Sequence, residues 1–152
     1  MNKNLILAYT AGFFDGEGSI NLLKRNRKHW NPEYVLMVAM GQKDGKTLDW
    51  IVDNFGGNVY LVKRDGSYYW AVSNKKAYVF LKKLIPYLQY KKPQAELAMK
   101  FYDEGIGRKR PIPESELKRR ESIRNELMAM HKSIIKSQYA GSTTKRVNPK
   151  GM

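Results

Sequence analysis

At 152 residues the chain is the size of a single domain, enough to bury about two-thirds of the surface its unfolded form exposes. It lacks cysteine, which excludes disulfides and thiolate metal sites, and it has neither a charged-then-apolar leader nor a run of about 18 apolar residues. The expectation is an intracellular protein, cytoplasmic or organellar, not a secreted or membrane-spanning one. Lys and Arg number 28 against 14 Asp and Glu, a net charge of +14 that attracts polyanions, and the charge is clustered. No acid stands between Gly18 and Pro32, between Gly66 and Ala95, or after Glu126, a pattern that points to nucleic acid.

Leu5, Tyr9 and Phe13 recur at helical spacing, with Ala8, Ala11 and Gly12 on an adjoining small-residue stripe, so 4–14 reads as a short helix capped by Asn4. From Gly18 the period becomes that of a strand, with Ile20 and Leu22 on one face. A polar loop containing Pro32 then leads into a second strand, VLMVAMGQ. Residues 44–54 are helical again, through Leu48, Ile51, Val52 and Phe55, and Gly56-Gly57 stops them. NVYLVKR and SYYWAVS follow as strands joined at Asp65-Gly66, a hairpin signal, and 75–84 forms a helix that Pro86 ends.

The order helix, strand, strand, helix, strand, strand, helix predicts an α+β fold: an αββαββα core whose curved antiparallel four-stranded sheet carries its helices on one face. A helix at 93–104, the linker GIGRKRPIP and a helix at 114–137 with Ile123, Leu127, Met130 and Ile134 on one face complete a single domain, 1–137. Residues 138–152 read as a basic tail ordered only on DNA.

Chemistry concentrates in TAGFFDGEGSI, residues 10–20, where Asp15 and Glu17 are fenced by glycines. A calcium loop starting at Asp15 would place Ile20 where the turn glycine belongs and Asn26 where the closing Glu belongs, which rejects it. On DGEG alone, two carboxylates decorating a turn is an equally good reading.

The segment resembles the LAGLIDADG motif of homing endonucleases, with Thr10 for the first Leu and Glu17 for the second Asp, and the order of elements resembles that family's core. The resemblance implies that motif helices of two subunits pack through Ala8, Ala11 and Gly12, with Asp15 at the same interface and tying down the turn. It implies that Glu17 and the Gly16 carbonyl hold Mg²⁺, for which Mn²⁺ may substitute. By the same resemblance Gln42 orients a water, Lys91 in YLQYKKPQA offsets phosphate charge or polarises that water, and Lys46 is a further catalytic candidate. With one motif the chain would act as a homodimer on a long, near-palindromic duplex, cutting both strands to leave short 3′ overhangs.

Alternation assigns base reading to the sheet face away from the helices: Asn21, Leu23, Arg25 and Arg27 on the first strand, and Glu33, Val35, Met37 and Ala39 on the second. Tyr69, Ala71 and Ser73, with Lys63 or Arg64, complete it on the second hairpin. Lys75, Lys76, Lys82, Lys83, Lys92 and the tail's Lys145 and Arg146 are expected to grip phosphates. Two rivals share the scaffold: an RNA-binding splicing maturase and a non-catalytic DNA-binding regulator.

Overall fold

The first helix, α1 (Lys3–Glu17), begins one residue earlier and ends three residues later than its periodicity marks. Its cap is Asn2, whose side chain accepts the Asn4 amide at 2.8 Å, so Asn4 is inside the helix and not its cap. The structure is a computed structural model that describes residues 1–107 and 111–143, with side chains in the last helix as far as His131. The remaining elements are β1 (Gly18–Arg27), β2 (Trp30–Gln42), α2 (Lys46–Phe55), β3 (Asn58–Val62), β4 (Ser67–Ser73), α3 (Lys75–Leu84), α4 (Lys92–Asp103) and α5 (Glu114–Thr143). The expected boundary at 137 thus falls inside a helix. Among the described residues, no helix is long and apolar enough to cross a membrane.

The four strands form one antiparallel sheet in the order β1-β2-β4-β3, the predicted α+β architecture. Leu22, Tyr34, Leu36, Val38, Met40, Trp70 and Val72 point to one side, where the helices cover them. Sequence misplaced both hairpin ends. The β1–β2 turn is the pair Lys28-His29, and Pro32 lies within β2, in the register shift between Arg25↔Glu33 and Arg27↔Trp30. A bulge tolerates a residue with no N–H to give the ladder, which explains how proline sits inside a strand. At the second hairpin Val62 pairs with Ser67, so Lys63 and Arg64 belong to the turn and not to β3.

Phe80 joins the helices to the sheet, its ring meeting Trp70 at 4.9 Å, Phe55 at 5.3 Å and Phe14 at 5.6 Å between centroids. Trp70 is fully buried, and its Nε1 donates to the Gly56 carbonyl at 2.8 Å. Gly57 has φ +88°, and a Cβ there would lie 2.5 Å from that nitrogen, so the helix stop and the tryptophan seat are one device.

The last helix is held by charge as well as by Ile123 and Leu127. Glu116, 5% exposed, accepts from Arg119 at 2.8 and 2.9 Å and from Arg120 at 2.9 Å, and Arg119 also donates to the Phe101 carbonyl of α4 at 3.0 Å. The Arg119 hydrogen bond, ahead of that from Arg120, holds the Glu116 carboxyl down at about 2. A depressed carboxylate stabilises fully above its ordinary value of 4.5 and loses that contribution as pH falls towards 2. Glu116→Gln is therefore expected to lose roughly 2–3 kcal/mol in denaturant melts at pH 7, a gap that closes as both proteins approach pH 2. A gap independent of pH would show that Glu116 acts by packing alone.

Glu121 makes the second clamp. It accepts from the buried Tyr34 hydroxyl at 2.5 Å and pairs with Lys24 at 3.1 Å and Arg124 at 3.5 Å, tying α5 to the β1–β2 hairpin. Burial, then the bond to Glu121, pushes the Tyr34 phenol up to about 12.

Candidate active site and nucleic-acid face

Helix α1 passes into β1 with no linker. The Gly18 amide caps the helix on the Phe14 carbonyl, and a Cβ at Gly18 would collide with the Phe14 ring and lie 2.6 Å from that carbonyl oxygen. A glycine is required there because the backbone itself is the neighbour. This turn leaves Glu17 exposed on the final helical turn, beside Gly16, whose α-carbon faces open space.

Asp15 is spent differently from Glu17. Its carboxylate accepts the Gln89 amide at 2.9 Å and the Lys91 amide at 2.8 Å, and its main-chain carbonyl accepts the Lys91 Nζ at 2.7 Å. The motif acid thus fastens the loop before α4 to the end of α1, and the lysine amine is delivered to the same place. Burial lowers the Lys91 pKa, opposed by the charges of Asp15 and then Glu17.

Gln42 closes β2, two residues beyond the Met40 that pairs with Gly18. Among the described residues its Oε1 is buried with no hydrogen-bond donor, an acceptor that a bound water would satisfy. Lys46 stands exposed at the first turn of α2, where its amide donates to Asp44 at 2.9 Å. Chemically, one end of the sheet holds an unengaged carboxylate, the last carbonyls of a helix, an orphan amide oxygen and an amine. Hard oxygen donors of this kind suit Mg²⁺. Among the described residues no group of three or more His, Cys, Asp or Glu gathers to hold an ion.

The small stripe of α1 is divided between two jobs. Ala11 is fully buried in the core of the chain, so its side chain has no surface to offer a second copy, which corrects that expectation. Thr10 is buried as well and donates to the Ile6 carbonyl at 2.7 Å, which explains how a hydroxyl replaces leucine there. The open stripe is Leu5, Ala8, Tyr9, Gly12 and Gly16, with Leu5 60% and Tyr9 53% exposed.

On the sheet face away from the helices the register builds rows across strands. Asn21, Met37 and Ser73 form one, and Ser19, Ala39, Ala71 and Asn58 another. Arg25 and Glu33 face each other, both exposed. Val35, opposite Leu23, is only 5% exposed, so it offers little surface for a base contact, which corrects that expectation. Arg27 spends its Nε and Nη2 on the Asn31 carbonyl at 3.1 and 3.0 Å, bracing the hairpin tip. Sequence reasoning missed Tyr60. It lies opposite Tyr69, stacked at 4.9 Å between centroids, and correct register of the second hairpin would have found it. Lys145 and Arg146 lie outside the described residues.

A motif helix that feeds an exposed acid into an open four-stranded saddle defines a class of α+β protein, and the comparisons specify it. The family described as LAGLIDADG endonuclease matches residues 10–103, and the chain belongs to that family. It is 33% identical over 107 residues to DNA endonuclease I-CreI of Chlamydomonas reinhardtii, a match covering 68% of this chain and 65%, just under two thirds, of that protein. The homing endonuclease I-CvuI, solved with an I-CreI target in the presence of Mg, superposes with a TM-score of 0.74 at 26% identity, over 84% of this chain and 82% of that one. The archaeal intron-encoded homing endonuclease I-Vdi141I, solved with DNA, shares the fold at a TM-score of 0.75 and 20% identity, covering 85% of this chain and 86% of that one.

Proposed function

We propose that this protein is a site-specific, divalent-metal-dependent DNA endonuclease that works as a homodimer and cuts both strands of a long, near-palindromic duplex, leaving short 3′ overhangs. The observation that carries the reading is the contrast between the two motif acids: Asp15 is consumed by the amides of Gln89 and Lys91, whereas Glu17 is left exposed.

A second copy packed on the open stripe of α1 would cover Leu5 and Tyr9, and Gly12 would let the two helix backbones approach. The two Glu17 carboxylates would then meet near the two-fold axis. Glu17 and the Gly16 carbonyl would hold Mg²⁺, with Mn²⁺ as a substitute, and such an ion supplies charge neutralisation and an acidified water at the scissile phosphate. The protein's own groups do the placing. Gln42 Oε1 accepts a hydrogen bond from the attacking water, and Lys91, held by Asp15, sets a positive charge where the phosphate becomes more anionic. Lys46 stands near enough in sequence to Gln42 to support phosphate binding. The rows of the open sheet face lie along the major groove and read bases, with Asn21, Arg25, Met37, Tyr69 and Ser73 foremost.

Selection of cleaved duplexes from a randomised library, followed by plasmid linearisation at the selected site with Mg²⁺ or with chelator, tests the reading. Binding without linearisation under any divalent ion would replace it with the regulator. Asp15→Asn, which keeps the size but weakens both amide bonds, is expected to lower the cleavage rate about ten- to a hundredfold with little change in duplex affinity. An equal loss of affinity would mean that Asp15 holds the fold and not the lysine.

A further inference from the structure

The row of side chains that closes the sheet beside the candidate site contains a tyrosine with no role so far. Register sets Met40 opposite Trp70, both buried, and two residues further along β2 it sets Gln42 opposite Tyr68. Residues directly opposite on antiparallel strands share a face, with β-carbons roughly 4.5–5.5 Å apart, so the Tyr68 side chain stands beside that of Gln42. On its other flank Tyr68 pairs with Leu61 of β3, whose side chain carries no hydrogen-bonding group.

The same tyrosine reaches the start of α2. A Cβ at Gly45 would lie 3.5 Å from Tyr68 Cγ and Cδ2 and 3.8 Å from Cδ1, so the ring rests over the glycine that precedes Lys46. One aromatic ring thus spans the strand end that carries Gln42 and the helix start that carries Lys46. Tyr68 is 36% exposed, yet the Gln42 Oε1 beside it is buried and, among the described residues, has no donor. The phenol oxygen therefore leaves the amide oxygen unengaged. What Tyr68 offers Gln42 is an apolar wall. A glutamine amide without such a wall turns about its side-chain bonds and presents oxygen and nitrogen in turn.

We infer that Tyr68 is a positioning residue for phosphodiester hydrolysis: its ring holds the Gln42 amide in one orientation, with Oε1 towards the attacking water. The inference rests on the role given to Gln42 in the proposed function. Tyr68 acts through Gln42 and through its ring, so removing the hydroxyl alone should matter little. A misplaced acceptor lowers the rate at saturating duplex and leaves affinity alone, and a displacement of about 1 Å is enough for up to a hundredfold.

The test compares Tyr68→Ala, Tyr68→Phe, Gln42→Ala and the double change Tyr68→Ala with Gln42→Ala in the full chain, with Tyr68→Leu as a milder variant should the alanine one fail to fold. Tyr68→Ala is expected to cut the selected duplex about ten- to a hundredfold more slowly at saturation, with duplex affinity within twofold, and Tyr68→Phe to restore the rate to within about threefold. The double variant should be no slower than Gln42→Ala alone, because a residue that acts through another has nothing left to position. Nitrogen-15 relaxation of the Gln42 side-chain amide supplies a readout without cleavage: rigid in the unaltered protein and in Tyr68→Phe, mobile in Tyr68→Ala. Multiplying losses in the double variant would overturn the inference, as would an equal loss in Tyr68→Phe, which would make the hydroxyl a contact to DNA or water. So would a Gln42 amide equally mobile with and without the ring. If the relaxation results follow the expectation but no selected duplex is cut, the endonuclease reading fails while the hold of Tyr68 on Gln42 stands.

Discussion

Glu17→Gln is expected to yield a dimer that binds its selected duplex within a few-fold of normal affinity and cuts it at least about a thousandfold more slowly, roughly 4 kcal/mol of lost transition-state stabilisation. The size of the effect follows from the geometry. Glu17 is exposed on the last turn of α1 and the other motif acid is committed to Gln89 and Lys91, so among the described residues no carboxylate cluster is there to stand in. The amide keeps the shape and removes the charge that holds a cation against the phosphate. Because the side chain reaches solvent and braces nothing in the core, the melting temperature should hardly change. Retained cutting would remove Glu17 from the centre. Lost binding with normal folding would make it a DNA contact instead.

Gly12→Leu is expected to separate the protomers without unfolding them. A Cβ at Gly12 meets nothing within 4 Å among the described residues, so the larger side chain is accommodated locally, and alanine-like helix propensity even favours it. Across a two-fold contact the same change introduces two isobutyl groups where backbones must approach, and overpacking of that kind costs a few kcal/mol. Sedimentation should show a monomer at concentrations where the unaltered protein is dimeric, and double-strand cleavage should fall at least a hundredfold. A dimer of unchanged affinity after this substitution would exclude the α1 stripe as the interface.

The two outcomes separate two functions that share one helix. The face holding Thr10, Ala11 and Phe14 builds the core, and the face holding Leu5, Ala8, Tyr9 and Gly12 is open. Sequence placed Ala11 with the open set because small residues three and four apart look alike whichever way they turn. What distinguishes them is the neighbour, here Phe14 and the sheet on one side and solvent on the other.

Legibility followed the range of the interaction. Strand parity was readable because alternation is a local property: Leu22, Leu36, Val38, Met40, Trp70 and Val72 all lie on the covered side as their spacing requires. Turn position was less readable, since the bulge that absorbs Pro32 and the four-residue turn holding Lys63 and Arg64 depend on cross-strand register. The partner of Asp15 was out of reach altogether, because a carboxylate that caps amides 74 and 76 residues away leaves no mark on the spacing around it.

By itself the sequence determined the class of fold, the position of the acidic motif and the sign of the partner's charge, since each is written in composition or in short-range period. Only the tertiary structure decided which of the two acids is unengaged and which small residues face outward. Those outcomes depend on which distant segments compete for each group's hydrogen bonds and surface, and that competition exists only once the chain is packed.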